Sequence, residues 1–262
     1  MAFHTLLAAA FVLVATVGGA AQEQPATTFS QLEIAVACAP PPTFDPPAGE
    51  PLRIIGAQDV VARSEFGTRD LLVVNGGTAA GVQLGQQFYV RRPNRFGMYD
   101  STHRQGSRTV AWIRVVAVNE STAIATFEHL CGPVAQGDYL EPFVAPVVPA
   151  GADRDEATGE PDFNAMGQIV SGNENRSDMG AGDFMLIDRG TDKGLTPGSR
   201  FAIYRDVHRW MMDDRSMALG QLPLAAIGEG VIVTTGETMS VMRILTARDA
   251  IYRGDYVAPR SR

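Results

Sequence analysis

The strongest constraint on the fold of this 262-residue chain is an internal repeat. Residues 70–92 (DLLVVNGGTAAGVQLGQQFYVRR) align without gaps with residues 183–205 (DFMLIDRGTDKGLTPGSRFAIYR) at an offset of 113. Further along, residues 116–142 face residues 233–259 at an offset of 117, and both contain Gly-Asp-Tyr. The identical residues of the first alignment are Asp70/Asp183, Gly77/Gly190, Thr78/Thr191, Gly81/Gly194, Gly85/Gly198, Phe88/Phe201 and Arg92/Arg205. The sequence therefore predicts two copies of one module.

The glycines are the shared part of the repeat. The stretch RGTDKG in the second copy resembles a phosphate-binding loop, but the first copy has Ala80 in place of Lys193. A loop built around a phosphate-binding lysine is not expected to lose it in its own copy. Because glycine permits positive φ and close backbone approach, we interpret the shared glycines as structural turns. They are Gly77, Gly81, Gly85, Gly190, Gly194 and Gly198.

Short apolar runs such as LLVV and FMLI, each followed by a glycine turn, are typical of strands. Two repeats are too few for a solenoid, in which each unit depends on its neighbours. We therefore predict an all-β fold with two tandem, small β-barrel-like modules, since a barrel removes exposed sheet edges. Module 1 is predicted over 53–143 and module 2 over 166–262, joined by a linker at 144–165 that is rich in Pro, Gly, Ala and acidic residues.

The N-terminal part of the chain differs from the modules. The apolar run at 6–17 is too short to span a membrane and is followed by small residues, so we predict a signal peptide over 1–21. The expected location is the periplasm or the outside of the cell, with no transmembrane segment in the mature chain. Residues 22–52 are predicted to form a Pro-rich extended arm.

The chain contains only two cysteines, Cys38 and Cys131. In an oxidising compartment an even pair favours a disulfide, and the alternative is two separate buried thiols. A metal site is not predicted, because His129 beside Cys131 lacks further ligands at suitable spacing.

Catalytic motifs with nucleophile-elbow, zinc-protease or phosphate-loop spacing do not occur in the sequence. The best cluster is His208 with Asp213 and Asp214, which we interpret as part of a solvated loop. We therefore predict a protein that is not an enzyme and that binds no cofactor.

Each module also contains a long middle loop, at 91–108 and 204–224, and loops on a rigid scaffold often carry binding sites. The first loop concentrates arginine and aromatic residues in a chain of net charge −7, and the second contains Trp and Met. The first is predicted to be exposed and electropositive, and the second to form a partly exposed apolar patch. The alternatives are a solvated arginine-rich hairpin and a lid over the barrel mouth. The candidate binding residues are Arg91, Arg92, Arg95, Phe96, Tyr99, His103, Arg104, Arg108, His208, Arg209, Trp210, Met211 and Met212.

The order of strand, glycine turn, strand, long loop, strand pair and Gly-Asp-Tyr resembles the C-terminal domain of the flagellar assembly protein T. It is also similar to the domain that follows LysM modules in some bacterial envelope proteins. The matching residues are Gly77, Gly81, Gly85, Phe88 and Gly137-Asp138, with Gly190, Gly194, Gly198, Phe201 and Gly254-Asp255 in the second copy. The resemblance implies small β-barrels that mediate envelope assembly and are not enzymes.

Three functions follow as hypotheses. The first is an exported cell-envelope interaction or assembly protein, whose partner is an envelope protein or an anionic envelope glycan. The second is a module that binds peptidoglycan or another envelope glycan, and the third is a hydrolase with an unrecognised site. Nucleic acid is not an expected partner, because the chain is acidic, with a pI near 5.1. The oligomeric state stays open.

Overall fold

The computed structural model describes residues 28–43, 48–59, 63–95, 105–154, 159–172, 176, 178–207 and 223–261. The predicted signal peptide lies outside the described residues. No helix in the described ranges is long and apolar enough to cross a membrane.

Module 1 is built from eight strands. Six of them form one antiparallel sheet in the order β1-β3-β6-β5-β4-β8, and β2 pairs separately with β7. The strands are β1 (Ile54–Ala57), β2 (Glu65–Phe66), β3 (Leu72–Val74), β4 (Gln87–Arg95), β5 (Gln105–Val118), β6 (Ala123–Leu130), β7 (Val134–Ala135) and β8 (Tyr139–Pro142).

Module 2 repeats this arrangement strand by strand. Its six main strands form a closed barrel in the order β9-β11-β14-β13-β12-β16, and β10 pairs with β15. The strands are β9 (Gly167–Gly172), β10 (Asp178–Met179), β11 (Phe184–Ile187), β12 (Arg200–Asp206), β13 (Leu224–Thr235), β14 (Ser240–Ala247), β15 (Ile251–Tyr252) and β16 (Tyr256–Pro259). The repeat in the sequence is therefore a repeat of topology, and the prediction of two β modules is confirmed.

The first and last strands of each six-stranded set meet along a seam. In module 2, β16 pairs with β9 through Tyr256↔Gln168 and Val257↔Gly167. In module 1, one bridge joins Arg53 to Tyr139, and the Ile54 amide donates to the Asp138 carbonyl over 2.9 Å. The two edge strands of the module 1 half-barrel, β1 and β8, thus meet at the position equivalent to the β9–β16 pairing of module 2, but fewer of their residues are paired.

The glycine turns lie in equivalent positions of the two modules. Each contains one 3-10 turn, at Thr78–Ala80 and at Thr191–Lys193, which ends at a glycine with φ near +77° in both copies. The first glycine of each turn has negative φ, but a Cβ on Gly77 would lie 2.1 Å from the Asn119 carbonyl oxygen. Positive φ and close backbone approach therefore both explain why glycine is shared at these positions.

Each module has an apolar interior of its own. Alternate residues of the strands point inward, so Leu72 and Val74 of β3 join the core of module 1, as Met185 and Ile187 of β11 join that of module 2. The apolar residue of each glycine turn, Val82 or Leu195, is buried in the same cores, as the repeat predicts.

The N-terminal arm is not wholly extended. Residues Gln31–Cys38 form helix α1, which begins with a capping box: the Ser30 side chain accepts from the Glu33 amide, and the Glu33 carboxylate accepts from the Ser30 amide. The prediction of an extended arm is wrong over this stretch, and the part of the chain that the structure describes is mostly β with one short α-helix. The backbone N–H of Ser30 lowers the pKa of Glu33.

The long middle loops are largely hairpins. Strands β4 and β5 stay paired out to Arg95↔Gln105, and β12 pairs with β13 out to Asp206↔Leu224. Half of the range 91–108, namely 91–95 and 105–108, is therefore strand. Within the two loops, residues 96–104 and 208–222 lie outside the described residues, and we name them the first and second hairpin tips.

Candidate functional site

The base of the module 1 hairpin is held by an ion pair. Arg92 on β4 donates two hydrogen bonds to Asp138, from Nε to Oδ1 over 2.8 Å and from a terminal nitrogen to Oδ2 over 2.9 Å. The Ala135 amide also donates to the Asp138 carboxylate, over 2.7 Å, which fixes the Gly-Asp-Tyr turn. The hydrogen bond to Asp138 raises the pKa of Arg92. These contacts give Asp138 a structural role in the turn.

The same pairing holds the module 2 hairpin. Arg205 donates to both carboxylate oxygens of Asp255, over 3.1 and 2.8 Å, and to Asp249 over 3.0 Å. Its guanidinium lies over the ring of Tyr252, 4.6 Å from the centroid. The hydrogen bond to Asp255 raises the pKa of Arg205. The shared arginine, Arg92 or Arg205, is therefore bound to an aspartate of its own module in both copies.

A second shared pair holds an earlier turn. Arg63 donates to Asp70 over 2.8 Å, and the equivalent Arg176 donates to Asp183 over 3.2 Å. Asp70 also accepts from the Gly67 amide, which lowers the pKa of its carboxyl. The shared arginines and aspartates of these four pairs thus bind their own module, so residues that differ between the copies are better candidates for binding a partner.

Arg91 does not have the exposure predicted for the first loop. It is only 7% exposed, donates from Nε to Glu141 over 3.0 Å, and lies over the Tyr89 ring at 4.3 Å from the centroid. Strand alternation explains the difference, because Arg91 and Arg92 point to opposite faces of β4 and each finds a carboxylate. The prediction of a solvent-exposed side chain is wrong for Arg91, and half-buried Arg92 is engaged at the hairpin base.

The other candidate residues lie toward the hairpin tips. Arg108 is half-buried on β5, where its backbone pairs with Arg92, and Arg95 is the last residue of β4. The remaining candidates lie outside the described residues: Phe96, Tyr99, His103 and Arg104 in module 1, and His208, Arg209, Trp210, Met211 and Met212 in module 2.

Helix α1 packs against both modules. On one side, Ala37 joins Tyr89 and Trp112 of module 1 in an apolar cluster. On the other side, Val36 packs with Phe184 and other outward-facing residues of module 2. The arm therefore joins the two modules, and this contact was not predicted from the sequence.

The predicted disulfide fastens α1 to module 1. Cys38, the last residue of α1, is bonded to Cys131, which follows β6, with 5.5 Å between the two Cα atoms. The prediction of a Cys38–Cys131 disulfide is confirmed.

A groove of about 470 Å³ lies beside the end of α1. Its lining is mainly apolar and includes Pro40, Pro41, Tyr89, Pro146 and Val233.

His129 lies next to this disulfide and stacks on Trp112, with 4.7 Å between ring centroids. Among the described residues, Cys38, His129 and Cys131 form the one group of three potential metal ligands, all within 4.8 Å of one another. A cysteine binds metal as a free thiolate, and both sulfurs are used by the disulfide. The arrangement fits a structural cross-link better than a metal centre.

No protein-family model and no curated protein matches this chain. The likeness to the flagellar and LysM-associated domains therefore stays a prediction from the sequence.

Proposed function

We propose that this chain is an exported interaction protein of the cell envelope, not an enzyme, which captures a partner through its two hairpin tips. One observation carries the proposal: both hairpins are held at the base by an equivalent Arg–Asp ion pair, Arg92–Asp138 or Arg205–Asp255, whose carboxylate is buried in both modules. Their tips differ in sequence, as expected when one scaffold presents two contact surfaces.

The chemistry of the tips indicates the class of partner. Arg104 lies in the first tip and Arg95 adjoins it at the end of β4, while the only acidic residue of 95–104 is Asp100, in a chain of net charge −7. Trp210 with Met211 and Met212 gives the second tip large apolar side chains. Arginine and aromatic residues are enriched in protein interfaces, and methionine suits adaptable apolar contacts. The partner we propose is an envelope protein with an acidic surface beside an apolar one.

Location outside the cytoplasm is part of the proposal. The disulfide supports it, since disulfides persist in oxidising compartments. The apolar run at 6–17 supports it independently.

The test replaces the two arginines at the first tip, Arg95 and Arg104, and leaves the arginines of the hairpin bases unchanged. Replacing Arg95 and Arg104 together by serine is expected to weaken capture of the envelope partner about tenfold at low salt, since exposed ion pairs contribute up to about 1 kcal/mol each. High salt should remove the difference, because it screens exposed charges. Capture is measured by pull-down from a solubilised envelope fraction, with purified peptidoglycan assayed in parallel.

Arg69→Ser is the matched control, because Arg69 is an exposed arginine of the same module away from the hairpin. The control should capture the partner as well as the wild type does. Equal capture by the Arg95/Arg104 variant at low salt would contradict the proposed role of the tip. Retention on peptidoglycan that depends on the same arginines would favour the glycan-binding alternative.

A further inference from the structure

Helix α1 and the linker together cover the outer face of module 2. Val36 and Ala39, from the helix and its C-terminal end, pack in one cluster with Phe184, Leu186 and Val233, and the linker residues Val148 and Ala152 belong to the same cluster. Phe184 and Leu186 point outward from β11, since the alternating residues Met185 and Ile187 belong to the barrel interior. A short apolar helix beside a linker segment is thus the observed cover of this face.

The repeat identifies the equivalent face of module 1. At the offset of 113, Phe184 and Leu186 correspond to Leu71 and Val73, and at the offset of 117, Val233 corresponds to Val116. The inward-facing neighbours also correspond: Leu72 and Val74 belong to the interior of module 1 as Met185 and Ile187 belong to that of module 2. Both modules therefore direct apolar side chains outward from the same strands.

In module 1 this face is exposed. Ile55, Leu71 and Val116 are 44%, 40% and 42% exposed. The strand register places the patch across β3, β6 and β5, because Val73 pairs with Ile124, and Ile124 pairs with Ala117 beside Val116. Ile55 lies on the neighbouring strand β1, at the irregularity between Ile54 and Gly56. We name Ile55, Leu71, Val73, Val116 and Ile124 the open face.

The border of the open face is polar. Arg114 and Glu128 form an ion pair, with 2.6 Å between Nε and Oε1. The equivalent positions of module 2 are Val231 and Leu245, which pack in the cluster under α1. An apolar centre with a charged border is the usual composition of a protein interface, whereas the fully apolar face of module 2 resembles a core.

We propose that the open face binds a helix of a partner protein, about two turns long and bearing aliphatic and alanine side chains like those of α1. The repeat indicates this occupant, because part of the same face of module 2 is covered by such a helix. The chain's own α1 is not free for this role, since it is fixed by Cys38–Cys131 and packed on module 2. The surface is separate from the hairpin tips, so it is a second contact beyond the proposed function.

Helix α1 also shows what such a contact requires. It has only eight residues, and isolated helices shorter than about 12–15 residues are marginal in water. In this chain the helix is held by the disulfide and by its connection to module 1. The partner's helix is accordingly part of a folded domain, and a suitable probe is a helix constrained by a covalent staple.

The probe is a stapled peptide of residues 29–41 with Cys38 replaced by serine, titrated into the full oxidised chain and followed by NMR chemical shifts. The protein's own α1 already occupies the module 2 face, so the shifts are expected at Ile55, Val73 and Val116. Binding is expected to weaken at least tenfold in Val116→Asp and in Ile55→Asp. Both are exposed positions, where substitutions change the stability of the fold little.

Leu84→Asp is the matched control, because Leu84 is an exposed apolar residue of module 1 outside the open face. Unchanged binding by Val116→Asp, no binding, or shifts confined to module 2 would overturn the proposal. Self-association of the protein that is abolished by Val116→Asp, measured by sedimentation velocity, would also overturn it and assign the face to a second copy. The Arg95/Arg104 variant should bind the peptide normally, so this result is independent of the hairpin test.

Discussion

Replacing both Cys38 and Cys131 by serine is expected to lower the free energy of unfolding of module 1 by about 4–5 kcal/mol. The bond closes a loop between residues 93 positions apart, and in the chain-entropy model a cross-link over such a distance restricts the unfolded chain strongly. The loss should extend to module 2, because α1 packs on the outer faces of both modules. Urea denaturation followed by Trp112 fluorescence in a Trp210→Phe background measures the effect.

Trp112 is a suitable reporter because it packs in the α1 cluster and stacks on His129. The wild type treated with reductant provides the control and should unfold with the same midpoint as the double serine variant. An unchanged midpoint in both samples would show that the packing of α1, without the covalent bond, holds the arm in place.

Replacing Arg205 by methionine is expected to lower the free energy of unfolding of module 2 by about 3–5 kcal/mol. The side chains of Arg205 and Asp255 are only 10% and 7% exposed, so removing the guanidinium leaves a buried carboxylate without its cation. Asp255 would keep one donor, the Tyr252 amide at 2.7 Å. Chemical denaturation followed by circular dichroism measures the loss.

A second substitution shows whether the loss of stability comes from the uncompensated charge of Asp255 or from the lost packing of Arg205. Adding Asp255→Asn to Arg205→Met removes the uncompensated charge, so the double variant should be more stable than Arg205→Met alone. Arg253→Met is the control, since Arg253 is exposed in the same module and should change stability by no more than about 0.5 kcal/mol. A loss from Arg205→Met as small as that of the control would mean that the hairpin base does not depend on this ion pair.

The repeat allowed the β architecture to be predicted, since identical glycines at one spacing require the same turns. The strands that the sequence did not reveal are very short. Strands β2 and β7 have two residues each, too few for a recognisable alternation of apolar and polar residues. They exist because they pair with each other across the module, and a local pattern does not contain that information.

Helix α1 had a local signal, the capping box at Ser30 and Glu33 followed by an apolar run. The prolines that follow it led to an extended arm being predicted instead. Its packing on both modules depends on clusters that join distant parts of the chain, such as the cluster that contains Val36 and Phe184. The existence of the helix was therefore predictable, but its position between the modules was not.

For the candidate binding residues, too, the sequence indicated some structural roles and not others. Arg91 and Arg92 look equivalent in the sequence, but their partners Glu141 and Asp138 lie 50 and 46 residues away. The alignment of Arg92 with Arg205 was the available sign of a structural role. At the offset of 113 the tips share Met98/Met211 and Asp100/Asp213 but none of their arginine or aromatic residues, which is why they remain the proposed contact surfaces.

The central claim is that the hairpin tips capture a partner, and photo-crosslinking in living cells tests it most directly. A benzophenone amino acid placed at Tyr99, in the first tip, is expected to form one discrete adduct that disappears when Arg95 and Arg104 are serine. The same amino acid at Leu84, which is 71% exposed in module 1, should form no such adduct. An adduct of equal yield from position 84, or one from position 99 that persists without the two arginines, would contradict the claim.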